Sequence, residues 1–262
     1  MKIIRFLFQN QVRYGIVEGE MALPLAVAPF DEIIKTGESI PLAQVRLLAP
    51  CEPTKIIALG LNYRDHAEEM RLALPEEPLI FMKPSTAVIG PEAAIVYPPQ
   101  SRRVDYEAEL GLVIGRKAYQ VPESKAHDYI LGYTCVNDVT ARDLQKKDGQ
   151  FTRSKSFDTF CPLGPWIETD PGDPHKVSVE SYVNGQRRQH SHAGNLVFGV
   201  ATLVSFISNI MTLLPGDVIA TGTPSGVGPL QPGDVVEICL GGVGSLRNPV
   251  VSHENTSSPR SS

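Results

Sequence analysis

Cysteine is scarce in this chain of 262 residues: Cys51, Cys135, Cys161 and Cys239 stand far apart, with no Cys-x-x-Cys pair. That spacing argues against a disulfide framework and fits small core residues kept reduced. Long apolar runs are also missing. No stretch approaches the length of a membrane-spanning helix, and Met1–Gln9 is too short and broken for a signal peptide, so a cytoplasmic location is expected. Positive charge is not in excess. With 24 Lys and Arg against 29 Asp and Glu, the formal net charge is −5, which argues against nucleic acid or an anionic membrane as a main partner. The stretch Thr221-Gly222-Thr223-Pro224-Ser225-Gly226-Val227-Gly228 lacks the Gly-Lys-Ser/Thr of a P-loop and opens no helix, so nucleotide binding is a poor reading. Internal repeats are absent.

The length suffices for one large core with a small appended unit. Residues 1–50 read as a small N-terminal α+β domain, with strands over Lys2–Phe8 and Val12–Val17 and a short helix over Phe30–Thr36. Prolines between Leu48 and Pro53 mark an extended connector. Residues 51–251 form a predominantly β domain, giving an α+β chain overall, and residues 252–262 a polar, disordered tail. Within the β domain the pattern predicts a buried strand over Lys55–Leu59 and a helix from Tyr63 to about Leu72, capped by Asn62. It predicts further strands over Leu79–Met82, Val177–Val183, Gln186–Gln189, Val218–Thr221 and Val235–Leu240. Helices are expected over Thr140–Lys147 and Val200–Met211. Asn184-Gly185 between two strand-like runs signals a hairpin, and His190-Ser191-His192 reads as surface loop.

The most informative stretch is Val104–Ile114. Its even positions are apolar or small, and its odd positions begin with Asp105, Glu107 and Glu109. Such alternation describes a strand with Glu107 and Glu109 side by side on one face. Neighbouring carboxylates repel unless a cation lies between them. The segment by itself leaves two readings open: a solvated strand face, or a site for a hard divalent cation such as Mg²⁺. A second strand-like run, Gly132–Asp138, ends on a third carboxylate. Glu107, Glu109 and Asp138 would make an open triad, leaving positions for water and substrate.

Other side chains are candidates for chemistry. His66 and Glu69, at i and i+3, share one helix face, as an exposed pair or as a general base with its orienting carboxylate. Lys155 falls in a polar, flexible segment, Asp148–Phe157, either solvated or as an electrostatic clamp on an anionic substrate. The 221–228 stretch is either a plain turn or a small-residue loop that grips a carboxylate with backbone N–H groups and a threonine hydroxyl.

Six ordered motifs now come together: Leu61-Asn62-Tyr63-Arg64-Asp65-His66-Ala67-Glu68-Glu69; Lys83-Pro84-Ser85; Val104 to Leu110; Asn137-Asp138-Val139-Thr140-Ala141-Arg142-Asp143; Lys155 to Pro165; and Pro215-Gly216-Asp217 through Gly228. In this order and spacing, from about Lys55 to Val250, the chain resembles the fumarylacetoacetate hydrolase superfamily, in particular its compact members, the fumarylacetoacetate-hydrolase-domain-containing proteins and the 2-hydroxyhepta-2,4-diene-1,7-dioate isomerase type. The resemblance implies a mixed β-sandwich or β-roll catalytic domain, a homodimer, and Mg²⁺ or Mn²⁺ on Glu107, Glu109 and Asp138. It implies His66 and Glu69 on a lid helix, Lys155 at the substrate and Thr223 on the substrate carboxylate, with Tyr63, Arg64 and Gln150 as further substrate-binding candidates. The chain departs from the family over Gln189-His190-Ser191-His192-Ala193-Gly194-Asn195, where relatives are often richer in Ser, Asn and Thr. The implied substrates are small 2-oxo acids, oxaloacetate or acylpyruvates, reacting through an enolate. Carbon–carbon cleavage ranks just ahead of tautomerisation or isomerisation, and a catalytically silent metabolite-binding relative is the remaining alternative.

Overall fold

The computed structural model describes residues 1–256. The chain opens with β1 (Lys2–Phe8), β2 (Gln11–Glu18) and β3 (Met21–Pro24). Gln9 and Asn10, both at positive φ, make the tight β1–β2 turn, the backbone that matches the twist of paired strands. Phe30–Thr36 is not a helix. That segment is irregular and is tied to the end of β3 by a backbone bond from Thr36 to Pro24, and to the residues just after it by one from Ala26 to Ile34. Pairing with a strand has overridden a weak local preference, and a 3-10 turn at Leu42–Gln44 is the helical element of residues 1–50.

Next come β4 (Ile56–Gly60), α1 (Arg64–Met70), β5 (Leu79–Lys83), β6 (Val104–Tyr106), β7 (Ala108–Ile114) and β8 (Ile130–Asn137). Two short helices follow, α2 (Arg142–Asp148) and α3 (Thr152–Lys155), then β9 (Cys161–Glu168). The chain closes with β10 (Ser178–Val183), β11 (Gln186–His192), α4 (Val200–Ile210), β12 (Val218–Ala220), β13 (Gly228–Leu230), β14 (Val235–Leu240) and β15 (Gly244–Ser252).

One long mixed sheet runs in the order β3-β2-β1-β9-β8-β7-β12-β4-β5, so the N-terminal strands continue the central sheet through the β1–β9 pair. A second sheet runs β11-β10-β14-β15 and ends on Ile95–Tyr97; a third, small one joins β6 to β13 and to Thr140–Ala141. Between the two larger sheets lies the main core, built from alternate residues of β7 (Ala108, Leu110, Leu112, Ile114) with Val179, Ile238 and Leu246 and one face of α4. Val113 and Val136 face the other way, into a second core with Ile3, Ile56 and Val218. With both faces covered, β7 is dry along its whole length.

Several expectations need correction. Asn62 does not cap α1: its side chain pairs instead with Phe198 backbone and Thr221 O, and no side chain caps that helix. His190–His192 belongs to strand β11, not to a loop. The 148–157 segment carries the folded turn α3. The C-terminal tail is ordered at its start, since β15 includes Ser252 and a 3-10 turn covers His253–Thr256; residues 257–262 lie outside the described residues. Among the described residues no helix is long and apolar enough to cross a membrane.

Candidate active site

The Val104–Ile114 run is two strands rather than one. The chain leaves the small sheet after Tyr106 and enters the central sheet at Ala108, and Glu107 sits at the crossing. Its N–H is taken by the Asn137 side chain at 3.0 Å, and its carbonyl accepts from Asp138 N at 2.9 Å. Those two bonds hold Glu107 beside Asp138, one residue past the end of β8. Glu109, two residues along β7, falls on the same face, so ligand oxygens of Glu107, Glu109 and Asp138 lie within 4.8 Å of one another. All three are buried, with Glu109 only 1% exposed. The solvated-strand reading is thereby excluded.

Burying carboxylates is costly unless cations compensate, and Lys155, Lys83, Arg142 and Arg103 do so here. Lys155 donates to Glu107 Oε2 at 2.8 Å and to Asp138 Oδ2 at 2.6 Å. Lys83, equally buried, binds Asp138 Oδ1. Arg142 spans Glu107 Oε1 and Asp105 Oδ2, the latter at 2.9 Å, while Arg103 holds the other oxygen of Asp105. Lys155 is thus the reverse of a solvated loop lysine: α3 turns it inward, over the Phe81 ring at 5.1 Å. Burial pushes the Glu107 carboxyl upward, but Lys155 and Arg142 outweigh it and bring the group down to about 2. Burial also works against the Lys155 ammonium, yet Asp138 and Glu107 raise its affinity for the proton.

Glu109 is the exception. Burial first, then the charges of Asp138 and Glu107, raise its carboxyl well above the ordinary range. Gly222 N donates to Oε2 at 2.9 Å, whereas Oε1 is buried with no hydrogen-bond partner among the described residues. Gly222 makes that contact at φ +98, where a Cβ would stand 2.9 Å from Asn62 Cβ. The 221–228 loop therefore grips a carboxylate through its backbone, and the carboxylate is the protein's own. Of the four buried carboxylates, counting Asp105, three are ion-paired with Lys155, Lys83, Arg142 or Arg103, and the orphaned oxygen belongs to Glu109, which pairs with no cation among the described residues. An all-oxygen donor set of this kind, with one carboxylate left unpaired, fits a divalent cation such as Mg²⁺ or Mn²⁺.

Glu107, Arg142 and Lys155 line a cavity of about 330 Å³, together with His66, Thr223, Leu61, Met70, Leu72, Phe81, Gln145, Lys146 and Phe151. His66 Nδ1 lies 3.2 Å from Glu69 Oε2, and Glu69 also accepts from Gly226 N at 3.2 Å. The Thr223 hydroxyl donates to Ala108 O at 3.0 Å and accepts from Gln189 Nε2 at 2.8 Å, so it reaches the cavity wall already engaged on both sides. Other candidates are not brought to this cavity. Tyr63 is fully buried in the main core, and Arg64 donates to Leu196 O at 2.7 Å. Gln150 lines an adjoining groove, walled off by the edge-to-face pair Phe81–Phe151. Sequence reasoning gave no role to Lys83, Arg142 or Gln189. A signal existed for the first two, because a buried carboxylate triad demands cations and both stand in the quoted motifs.

A buried carboxylate cluster at the foot of a cavity flanked by lysine and histidine is the layout of an enzyme for small molecules. The fumarylacetoacetate hydrolase C-terminal family model matches residues 55–251, and the Rv2993c-like N-terminal model matches residues 1–50. The chain belongs to the fumarylacetoacetate hydrolase family. Its fold matches 5-carboxymethyl-2-hydroxymuconate delta-isomerase from Mycobacterium smegmatis with a TM-score of 0.91 and 48% identity, over 96% of this chain and 100% of that one. A mitochondrial oxaloacetate tautomerase of Xenopus laevis is 42% identical over 92% of this chain and 78% of its own length. Maleylpyruvate hydrolase from Sphingobium is more distant, at 32% identity and a TM-score of 0.81 over 96% of this chain and 100% of that one.

Proposed function

We propose that the protein is a divalent-metal-dependent enzyme that moves a proton on small 2-oxo dicarboxylates of the oxaloacetate type, interconverting keto and enol forms. The observation that carries this reading is the buried Glu107–Glu109–Asp138 cluster with one unpaired oxygen, whose Glu107 lines the same cavity as Lys155 and His66. The similarity to a tautomerase and to an isomerase favours proton transfer over cleavage, because both relatives are more like this chain than the hydrolase is.

Glu107, Glu109 and Asp138 would hold the cation, which when bound supplies positive charge next to the carboxylate and 2-oxo oxygen of a substrate. Lys155, kept protonated by its two carboxylates, adds positive charge to that region and stabilises negative charge growing on the 2-oxo oxygen. His66 is the base that takes the C3 proton. Glu69 holds its Nδ1–H, leaving Nε2 as the acceptor. Return of that proton to the 2-oxo oxygen completes the enol, and the reverse path regenerates the ketone. Phe81, Phe151, Leu61 and Met70 supply apolar lining to the cavity, which strengthens each electrostatic contact. The catalytic unit is a homodimer in this reading, and light scattering that returns a single chain mass would refute it.

Acylpyruvate hydrolysis is the second reading, favoured by the position of His66 on the cavity wall, where it could activate a water. The deciding assay follows the ultraviolet signal of oxaloacetate enol with Mg²⁺ and then with EDTA, while pyruvate is measured in the same tube. Mg²⁺-dependent interconversion without pyruvate supports the tautomerase. Stoichiometric pyruvate moves the reading to a lyase, and no effect on oxaloacetate or acylpyruvates ends it.

A further inference from the structure

Helix α1 carries His66 and Glu69, yet packing holds little of it. Of its seven residues Ala67 is the buried one, no side chain caps its N-terminus, and Met70 is half exposed. A helix this short does not keep its shape alone in water, so tertiary contacts decide where His66 stands. Those contacts are polar. Asp65 Oδ2 accepts from Ser191 Oγ at 2.6 Å, and Oδ1 accepts a longer bond from Ser225 N at 3.4 Å. Asn195 Nδ2 donates to Ser191 Oγ at 2.9 Å and reaches Asp65 Oδ2 at 3.5 Å.

Two residues before Ser191, Gln189 is fully engaged. It accepts from Ala108 N at 3.0 Å and donates to Thr223 Oγ1 at 2.8 Å and Pro224 O at 2.9 Å. Residues i and i+2 of a strand face the same way, and both of these are buried. One face of β11 therefore braces two walls of the cavity, the 221–226 loop through Gln189 and α1 through Ser191.

We infer that Asp65 is a positioning residue: with Ser191 and Asn195 it latches α1 onto β11 and sets the His66–Glu69 pair against the cavity. Asp65 does not line the cavity, so it acts through His66, and its effect on rate rests on the proton-transfer role proposed above. The bond to Ser191 is short and charge-assisted, the strong kind. Misplacing a catalytic group by an ångström costs on the order of 100-fold in rate.

The test is hydrogen–deuterium exchange on the full chain, read over residues 61–72, combined with kcat and KM for Asp65→Ala, Asp65→Asn and Ser191→Ala. Asp65→Ala and Ser191→Ala are expected to speed exchange in α1 alone and to lower kcat by about 10- to 100-fold with KM little changed. Asp65→Asn keeps an acceptor for Ser191 and stays near wild type. Unchanged exchange in α1 overturns the latch. So does faster exchange throughout the chain with a lower melting temperature, the mark of a residue that merely supports the fold. If Asp65→Ala does not fold, Ser191→Ala decides by the same readings. Loosened α1 with undiminished kcat refutes the positioning of His66 when His66→Ala is itself inactive. Full activity in His66→Ala would instead remove the proton-transfer reading, and the latch would stand or fall on exchange alone.

Discussion

Glu109→Gln should make the metal-free protein more stable while removing its response to metal. Glu109 is the carboxylate without a cation of its own, and its ligand oxygen lies within 4.8 Å of those of Glu107 and Asp138. At an effective dielectric near 20, each such charge pair costs about 3 kcal/mol. Attraction to Lys155 offsets part of that, and protonation of Glu109, raised as it is, relieves more. A net gain of about 1–2 kcal/mol remains for the neutral amide, equivalent to about 2–8 °C in melting temperature for a chain of this size. The amide oxygen can still accept from Gly222 N, so the loop keeps its anchor. Wild-type protein in Mg²⁺ at about 100 times its Kd should gain about 2.7 kcal/mol, and the variant should gain nothing measurable. Thermal denaturation in EDTA and in Mg²⁺, with titration calorimetry of both proteins, checks the two statements separately. A variant that melts lower than wild type in EDTA and still shows the full Mg²⁺ shift would refute the charge argument and the ligand assignment together.

His66→Ala should lower turnover by about 100- to 10,000-fold and leave Mg²⁺ affinity unchanged, because His66 touches none of the three carboxylates; calorimetry and the enol assay read the two effects. Lys155→Met should still fold, since Glu107 keeps Arg142 and Asp138 keeps Lys83, but turnover should fall by about 100- to 1,000-fold; wild-type rates in that variant would mean Lys155 is structural. For pH, the depressed Glu107 contributes stability that is present above the ordinary carboxylate value of 4.5 and lost as pH falls toward about 2. The raised Glu109 runs the other way: its contribution is present below 4.5 and lost as pH rises through its higher folded value. In EDTA the wild-type melting temperature should therefore decline with rising pH above 4.5 more steeply than that of Glu109→Gln, and equal slopes would sink the assignment.

Much of the site was legible because it follows from local geometry. Alternation along Val104–Ile114 predicts Glu107 and Glu109 on one face, and although the run breaks into two strands at Glu107 the two carboxylates still come together, while the strand ending at Asn137 leaves Asp138 at its tip. Turn chemistry worked for the same reason: Asn184-Gly185 adopts positive φ at both residues, as a tight hairpin requires. Local reasoning failed where a distant partner decided the outcome. Phe30–Thr36 resembles a helix until β3 bonds to it, and Lys155 resembles a loop lysine until three other elements close over it. Asn62 has the right chemistry for a cap, yet the backbone of Phe198 and Thr221 claims its amide.

The sequence by itself determined which residue types could make the chemistry and which of them share a strand face, since a period of two needs no knowledge of neighbours. Only the tertiary structure decided how those charges are compensated. Lys83 reaches Asp138 across 55 positions, Gly222 reaches Glu109 across 113, and Ser191 reaches Asp65 across 126. Pairing at such separations follows from the order of strands in a sheet. That order is set by burial of the whole core, which no short stretch of the chain encodes.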